Sequence, residues 1–402
     1  MGDNRTEQSS VTWHRMEEER AYQYWLHNLP GIGDKTIEML LKAFGSARQI
    51  YGAGTDALKQ VVNEKKAEKI ETFSRTWDVQ RNYEELGKRK ILFIPRDDEQ
   101  YPERLKELDN PPYAIYCLGS LPQEQAPSAA VIGARECSEY GRYMAQAFAG
   151  KMAEAGVAVI SGMARGIDGI AQKAALQNGG RTYAVLGSGV DVCYPASNRG
   201  LYQEILETGG GILSPFPPGA PPLKQQFPER NRIVAGLSDV LLVVEARLKS
   251  GTWITVDMAL EQGKSVYAVP GRLTDRLSDG CNFLIRQGAG IALTPEDILA
   301  EFAVIQNRKG IKNQKEMKNQ KETPIVKHGV VEEADQRAEK SEMELLAFLD
   351  AYPRSADEIL DAMKKKGKTM ELPRLLEKLI SLCIENKAKQ VCGSYFVKNC
   401  DR

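Results

Sequence analysis

The sequence contains few of the side chains that metal binding and acid–base catalysis use most. Three histidines are present, His14, His27 and His328, and none has a cysteine or carboxylate partner at metal-ligand spacing. The seven cysteines are odd in number, and no two of them have the C-x-x-C spacing. We therefore expect neither a disulfide framework nor a metal site, and no catalysis that depends on histidine.

The chain also lacks net charge and long apolar runs. Its 54 Lys and Arg residues balance 54 Asp and Glu residues, so any site for nucleic acid must be a local patch rather than the effect of bulk charge. No apolar run approaches the roughly 18 residues that span a membrane. The N-terminus is polar and carries no apolar signal-peptide core. These features predict a cytoplasmic protein.

Four segments follow one another along the chain. Residues 1–85 show helical periodicity, and LPGIGDKT (Leu29–Thr36) is typical of a helix-hairpin-helix turn. Residues 86–304 alternate short apolar strands with amphipathic helices, which predicts an α/β fold with a parallel sheet covered on both faces. Residues 305–340 are polar and predict a flexible linker. Residues 341–402 predict three helices and a strand pair, the pattern of a winged helix.

The roles of the two terminal segments stay open at this point. The N-terminal hairpin either contacts a phosphate or serves as a plain helix–helix connection. The predicted winged helix has few basic residues on its last helix, Arg374 and Lys378. This composition favours docking of a protein or a structural role over reading of DNA, without deciding between them.

Glycine-rich turns follow most of the predicted strands, and a parallel α/β sheet binds its ligands at that edge. Each turn also carries Arg, Ser or Asn, which suit a phosphate. The candidate binding residues are Gly133, Arg135, Ser138, Ser161, Gly162, Arg165, Gly187, Ser188, Asn198, Arg199, Tyr202, Arg230, Asn231, Arg232, Ser250, Gly251 and Thr252. Several phosphate sites without a set of catalytic residues predict the binding of an extended polyanion.

Two of these turns have a specific chemical interpretation. Arg135 stands where a dinucleotide-binding fold has its second glycine, so its guanidinium would take the pyrophosphate space and bind a phosphate oxygen. The alternative is a surface ion pair with a nearby carboxylate. Arg199 and Tyr202 place a cation before an aromatic ring, which suits a phosphate and a stacked base of a single strand. For Tyr202 a place in the core is equally compatible.

Six motifs carry a resemblance to a known family. They are GARECSEYG, SGMARGIDGIAQKAAL, AVLGSGVDVCYPASNRGLY, FPERNRIVAGLSDVLLVVEARLKSGT, ALEQGKSVYAVPG and DGCNFLIRQGA. Together they resemble the DNA-processing protein A (DprA/Smf) family, from about Phe93 to Leu293. The family's DNA-pocket arginine falls on Arg135, and its Asn–basic–x–Leu–aromatic segment falls on Asn198, Arg199, Leu201 and Tyr202.

The resemblance implies a central extended Rossmann-like domain, an N-terminal SAM or helix-hairpin-helix-like module and a C-terminal winged helix. It implies a homodimer that binds single-stranded DNA, protects incoming strands and loads RecA recombinase during natural transformation, with single-strand-binding protein as a further partner. No cofactor, no catalysis and no membrane belong to that role. The strand near Val266–Val269 and the helix Ile254–Leu260 are candidate dimer faces.

The sequence departs from the family pattern at three positions. Gln172 stands where a histidine is common, Pro215 follows Ser214 where a glutamate is frequent, and Thr252 replaces a serine. Gln and Thr still form hydrogen bonds, so the pocket can persist. Whether these changes alter the affinity for DNA or the dimer contact stays open.

Two alternatives to strand binding and RecA loading remain. One is a Rossmann-like nucleoside monophosphate hydrolase, in which Asp168 or Glu245 would act as the acid. The loop typical of that group is absent, and a carboxylate beside Arg165 is more often a loop brace than an acid. The other is an adaptor that acts through the winged helix, which is compatible with strand binding.

Overall fold

The computed structural model describes residues 18–305 and, further on, residues 345–346, 348–349, 354–368, 370, 372–384, 387–390 and 395–398. These residues belong to two compact units, one that contains residues 18–305 and one that contains the described residues from 345 onward. The predicted linker lies outside the described residues except for residue 305. His14 and His328 also lie outside them. Within the described ranges, no helix has the length and apolar character that crossing a membrane requires.

The first unit begins with six helices. They are α1 (residues 18–27), α2 (Asp34–Phe44), α3 (Ala47–Tyr51), α4 (Thr55–Lys59), α5 (Glu64–Thr76) and α6 (Val79–Lys88). The apolar side of these helices packs against the sheet, where Tyr24 lies 5.4 Å from the ring of Phe93 and 6.1 Å from that of Tyr116. The helices and the sheet therefore share one hydrophobic core.

The predicted hairpin turn is followed by α2, which begins at Asp34. Gly31 has a φ of +76° in this turn, a conformation that glycine adopts at little cost. The carboxylate of Asp34 accepts a hydrogen bond from the backbone N of Tyr113 at 3.2 Å. The first turn of α2 is thus attached to the segment that leads into the second strand.

A nine-stranded sheet forms the centre of the unit. Its strands are β1 (Ile91–Pro95), β2 (Ala114–Gly119), β3 (Ser128–Ile132), β4 (Ala158–Ser161), β5 (Thr182–Val185), β6 (Gly211–Ser214), β7 (Val240–Val243), β8 (Ser265–Ala268) and β9 (Gly290–Ile291). The strand order is β1-β2-β6-β5-β4-β3-β7-β8-β9. From β6 to β9 all neighbours are parallel, as predicted. The direction of β1 and β2 differs from the prediction, because β1 pairs with β2, and β2 with β6, in antiparallel fashion.

Helices cover both faces of the sheet. Between and after the strands lie α7 (Glu103–Lys106), α8 (Glu139–Glu154), α9 (Ile167–Gln177), α10 (Arg199–Glu207), α11 (Gln226–Leu237), α12 (Thr252–Glu261), α13 (Asp279–Arg286) and α14 (residues 295–305). Alternate residues of β3 face opposite ways: Val131 packs on the side of α8 and α9, whereas Ala130 packs on the side of α11 and α12. The chain passes from β6 back across to β7, so the order of the parallel strands reverses between β3 and β7. Open α/β sheets bind ligands beside such a reversal.

The second unit is a small three-stranded antiparallel sheet with helices. It contains β10 (Arg354–Ser355), α15 (Ala356–Lys365), α16 (Leu372–Ile384), β11 (Ala388–Gln390) and β12 (Tyr395–Lys398), with sheet order β10-β12-β11. Ser355 caps α15, and its side chain forms a capping box with Glu358. Leu375, Leu379 and Phe396 lie in its core. The winged-helix assignment stays a prediction.

Candidate functional site

A cavity of about 550 Å³ lies at the carboxyl ends of β3, β4 and β7. Its wall consists of the turns after these strands and the first turns of α11 and α12. Nine of the predicted residues line it: Gly133, Arg135, Gly162, Arg165, Arg230, Asn231, Ser250, Gly251 and Thr252. The carboxyl ends of neighbouring parallel strands meet at one edge, which brings together turns that are far apart in the sequence.

Arg230 is a buried cation in the wall of this cavity. Only 5% of the residue is exposed, and Nη1 donates to the carbonyl oxygen of Val185 at 2.8 Å and to that of Gly162. Burial lowers the pKa of Arg230, while the carboxylate of Asp168 opposes this shift. The guanidinium is therefore a fixed element held by the ends of β4 and β5.

Asp168 is the buried carboxylate of the cavity. Its Oδ2 accepts a hydrogen bond from the backbone N of Gly162 at 3.2 Å. Burial raises the pKa of Asp168, and the nearby charge of Arg230 lowers it. The cation that acts on Asp168 is thus Arg230, on α11, whereas sequence reasoning proposed its neighbour Arg165.

The ring of Phe227 lies close to two guanidinium groups. The Cζ atoms of Arg135 and Arg230 are both 5.7 Å from the ring centroid, and the ring of Tyr194 is 6.0 Å away. A cation over an aromatic face at this distance is attracted to it. Gly187 makes room for the ring, since a Cβ at that position would lie 2.9 Å from Phe227 Cδ1. Gly187 therefore supports Phe227 and lines a smaller recess beside the cavity.

Five further cations line the cavity: Arg135, Arg165, Lys224, Arg247 and Lys249. All five are exposed. Among the described residues none of them forms an ion pair with a carboxylate, whereas many exposed arginines and lysines elsewhere do. The carboxylates in the lining are Glu136 and the buried Asp168. The cavity therefore presents an excess of positive charge within a chain of zero net charge, and such a local field attracts anions.

The start of α8 has a different role from the one predicted for a phosphate site. Ser138 caps the helix, since its Oγ accepts a hydrogen bond from the backbone N of Gly141 at 3.0 Å. The backbone N of Ser138 donates to Glu245 Oε2 at 2.9 Å, and its Oγ donates to Glu245 Oε1. Glu245 is 1% exposed. A carboxylate of the protein itself thus occupies the anion position at this helix end.

Two other predicted serines donate hydrogen bonds to backbone carbonyl oxygens. Ser161 Oγ donates to the carbonyl oxygen of Val131 at 2.6 Å, and Ser188 Oγ donates to that of Val192 at 2.8 Å. Both residues are buried. These hydroxyls hold the ends of β4 and β5 in place.

In the segment Asn198–Tyr202, the first and last side chains form hydrogen bonds within the protein, whereas Arg199 is exposed. Asn198 Nδ2 donates to the carbonyl oxygens of Met163 and Ala164, at 2.9 and 3.2 Å. Tyr202 is half-buried, packs against the core beside α10, and donates to the carbonyl oxygen of Val190 at 2.7 Å. Burial raises the pKa of Tyr202 to about 12. Arg199 is exposed at the start of α10. Arg232, the remaining predicted residue, pairs with Glu229.

The departures from the family pattern have structural explanations. Gln172 is fully buried, and its Nε2 donates to Thr182 Oγ1 at 3.2 Å and to the carbonyl oxygen of Tyr183 at 3.1 Å. It therefore joins α9 to β5. Ser214 Oγ accepts from the backbone N of Phe216 at 3.0 Å, across Pro215. Thr252 accepts a hydrogen bond from Ser250 Oγ at 2.9 Å at the start of α12.

Among the cations and aromatic rings of the cavity lining, sequence reasoning missed three cations and one ring: Lys224, Arg247, Lys249 and Phe227. Phe227, Arg247 and Lys249 lie within the motif FPERNRIVAGLSDVLLVVEARLKSGT, and Lys224 lies three residues before it. Basic residues within or next to this motif would have indicated the three cations. The position of Phe227 beside two arginines depends on the packing of α11 and has no sequence signal.

Comparison with known proteins connects this architecture to one family. A family model described as DNA recombination-mediator protein A matches residues 92–303, which include nearly the whole nine-stranded sheet. DNA processing protein DprA from Streptococcus pneumoniae is 43% identical over 205 residues, 51% of this chain and 72% of that protein. Protein Smf from Escherichia coli is 45% identical over 206 residues, 51% of this chain but only 55% of that protein. The X-ray structure of the S. pneumoniae DprA superposes with a TM-score of 0.61 at 33% identity and covers 70% of this chain and 97% of that one.

Proposed function

Since the chain belongs to the DNA recombination-mediator protein A family, we propose that it binds single-stranded DNA in the cavity at the carboxyl edge of its sheet. The observation that carries this proposal is that five cations of the cavity form no ion pair with any described residue, and that one of them, Arg135, lies over the ring of Phe227. A single strand offers phosphates to the cations and exposed base faces to an aromatic ring, whereas a duplex hides those faces by pairing and stacking. Phosphate contacts from Arg135 and Arg165 would supply affinity without sequence preference.

We propose the cellular role that the family resemblance implies. The protein would coat and protect strands that enter the cytoplasm during natural transformation, and would load RecA recombinase on them, with single-strand-binding protein as a competitor or partner. We propose that it works as a homodimer, so that two cavities hold one strand. The helices of residues 18–88 would serve as a SAM-like module, and the second unit as a winged helix that docks a protein.

We infer that this role is binding rather than catalysis. Of the two acids that a nucleoside monophosphate hydrolase would use, Glu245 has both oxygens engaged by Ser138 and is buried away from the cavity lining. Asp168 does line the cavity with a raised pKa, so the hydrolase alternative has one observation in its favour. Incubation with nucleoside monophosphates and chromatography for free base decides the matter, and we expect no base release.

The proposal is tested with a double variant, Arg135→Ala with Arg165→Ala, titrated with a labelled oligothymidine at several salt concentrations. Loss of two phosphate contacts should weaken binding and reduce the slope of log K against log salt by about 1.4, since each contact on a single strand contributes about 0.7. Arg181→Ala is the matched control. Arg181 is also exposed, but it directly precedes β5 and so lies at the opposite edge of the sheet. Equal affinity and slope in all three proteins would overturn the assignment of the cavity.

A further inference from the structure

A second recess adjoins the cavity on the other side of the loop formed by residues 162–166. It has a volume of about 350 Å³, and Ala164 lines both recesses. Its polar lining residues are Arg142, Gln146, Lys173, Gln177, Ser197 and Asn198. We call it the α8–α9 groove. Of its lining residues, the predicted binding residues included Asn198, and the Asn–basic–x–Leu–aromatic segment of the family also contains Leu201.

Two helices present matched pairs of polar side chains to this groove. Arg142 and Gln146 are four residues apart on α8, and Lys173 and Gln177 are four residues apart on α9. Residues at this spacing lie next to each other on one helix face. All four are exposed. The groove therefore combines two cations with two amides, and an amide can both donate to and accept from a base edge.

Arg142 and Lys173 each form an ion pair at the surface, but both cations stay available to a ligand. Arg142 Nε lies 3.5 Å from Glu139 Oε1, a long contact between side chains that are 47% and 90% exposed. Lys173 pairs with Glu204, with 46% of the lysine side chain exposed. Surface pairs of this kind contribute at most about 1 kcal/mol, so a phosphate can replace or share the carboxylate.

The ridge between the two recesses is held firmly and carries a charge. Asn198 fixes it through hydrogen bonds to the carbonyl oxygens of Met163 and Ala164. Arg165 is exposed on this ridge, lines the cavity, and forms no ion pair among the described residues. Exposed cations thus line the cavity, the ridge and the groove, namely Arg135, Arg165 and Arg142.

We propose that the α8–α9 groove is a second binding segment for the same DNA strand. This inference rests on the proposed function of the cavity. Nucleotides that leave the cavity cross the ridge at Arg165 and continue in the groove, where Arg142 contacts a phosphate and the amides of Gln146 and Gln177 contact base edges. The groove lengthens the footprint of the strand, while the cavity supplies the first contacts.

The test compares oligothymidines of two lengths, about 4 and about 16 nucleotides, which cover the range that small single-strand binding sites occupy. Wild-type protein, Arg142→Ala and Arg142→Glu are titrated with each. We expect the alanine variant to bind the long strand several-fold more weakly, with a salt slope lower by about 0.7, and the glutamate variant to lose more. Both variants should bind the short strand as the wild type does.

Lys151→Ala is the matched control for this experiment. Lys151 also lies on α8 and also pairs with a glutamate three residues away, but it is about half a turn around the helix from Arg142. Equal weakening by Lys151→Ala, or long-strand binding unchanged in both Arg142 variants, would overturn the groove proposal. If the wild type binds neither length, the proposed function of the cavity fails instead, so the two failures are distinguishable.

Discussion

The guanidinium of Arg230 lies directly over the backbone of Gly162. Its Nη1 donates to the carbonyl oxygen of Gly162, and a Cβ at position 162 would overlap that same nitrogen atom. The missing side chain of this glycine is therefore what admits a buried guanidinium to the cavity wall. The two residues are 68 positions apart in the sequence, and together they determine the charge at the centre of the site.

Replacing Gly162 with alanine should displace Arg230. We expect the free energy of unfolding to fall by about 1–3 kcal/mol from overpacking, and the affinity for single-stranded DNA to fall with it, because Arg230 no longer faces the cavity. Calorimetry and a DNA titration measure the two effects. Gly87→Ala is the control, since Gly87 lies in the last turn of α6 and a Cβ there meets nothing within 4 Å. Wild-type DNA affinity in Gly162→Ala would contradict the role given to Arg230.

Replacing Phe227 with leucine tests the aromatic element of the site. The change keeps an apolar side chain but removes the face that attracts Arg135 and Arg230, and that would stack on a base. We expect binding of oligothymidine to weaken about tenfold, within the range for loss of one stacking ring. Phe283→Leu is the control, because Phe283 also has an arginine over its ring, Arg286 at 5.6 Å, outside the cavity. Similar losses in both variants would show a general effect on folding.

The partly buried His27 predicts a dependence of stability on pH. His27 Nδ1 lies 2.9 Å from the hydroxyl of Tyr116, and burial lowers the pKa of His27 from 6.5 to about 4. Between these values the unfolded chain binds a proton that the folded chain does not, so stability falls as the pH drops from about 6.5 towards 4. Unfolding by urea at pH 7 and pH 5 should show a smaller loss in His27→Gln than in the wild type. An equal loss would mean that His27 is protonated in the folded protein.

Replacing Glu245 with alanine tests whether a carboxylate fills the anion position at the start of α8. The backbone N of Ser138 would lose its acceptor, which should cost about 1–3 kcal/mol. Sulfate should then bind at the freed helix end, so we expect it to raise the Tm of the variant more than that of the wild type. Chloride at equal ionic strength is the reference, because sulfate also stabilises folded proteins in general. The same sulfate effect in both proteins would contradict the interpretation.

The strands of the sheet show what local sequence predicts well and poorly. The strands β3, β4, β5 and β8 are short apolar runs with glycine or proline close on both sides, which is the pattern by which a sequence predicts strands. The strand β6 does not fit this pattern, because it is short and its first residue is the last of three glycines, 209–211, which locally favour a turn. The direction of β1 and β2 was wrong because an apolar run is the same in a parallel and an antiparallel strand.

The candidate site likewise has a part that the sequence predicts and a part that it does not predict. Turns after the strands were predictable because the carboxyl ends of parallel strands meet at one edge. The pairs of residues that interact within the site were not predictable. Ser138 and Glu245, which are hydrogen-bonded, are separated by 107 residues. The charge interaction between Asp168 and Arg230 depends on how α11 packs against the sheet. The role of Tyr202 was also not predictable, since the hydrogen bond from its hydroxyl to the carbonyl oxygen of Val190 depends on how α10 packs.

Whether the cavity binds single-stranded DNA is decided by a titration of the purified protein with a labelled oligothymidine and with the matching duplex, each at low and high salt. The cavity predicts tighter binding of the single strand than of the duplex, with an affinity that falls as salt rises, because both phosphates and base faces are contacted. A preference for the duplex, or no binding of either, would contradict the account and direct attention to the two terminal modules.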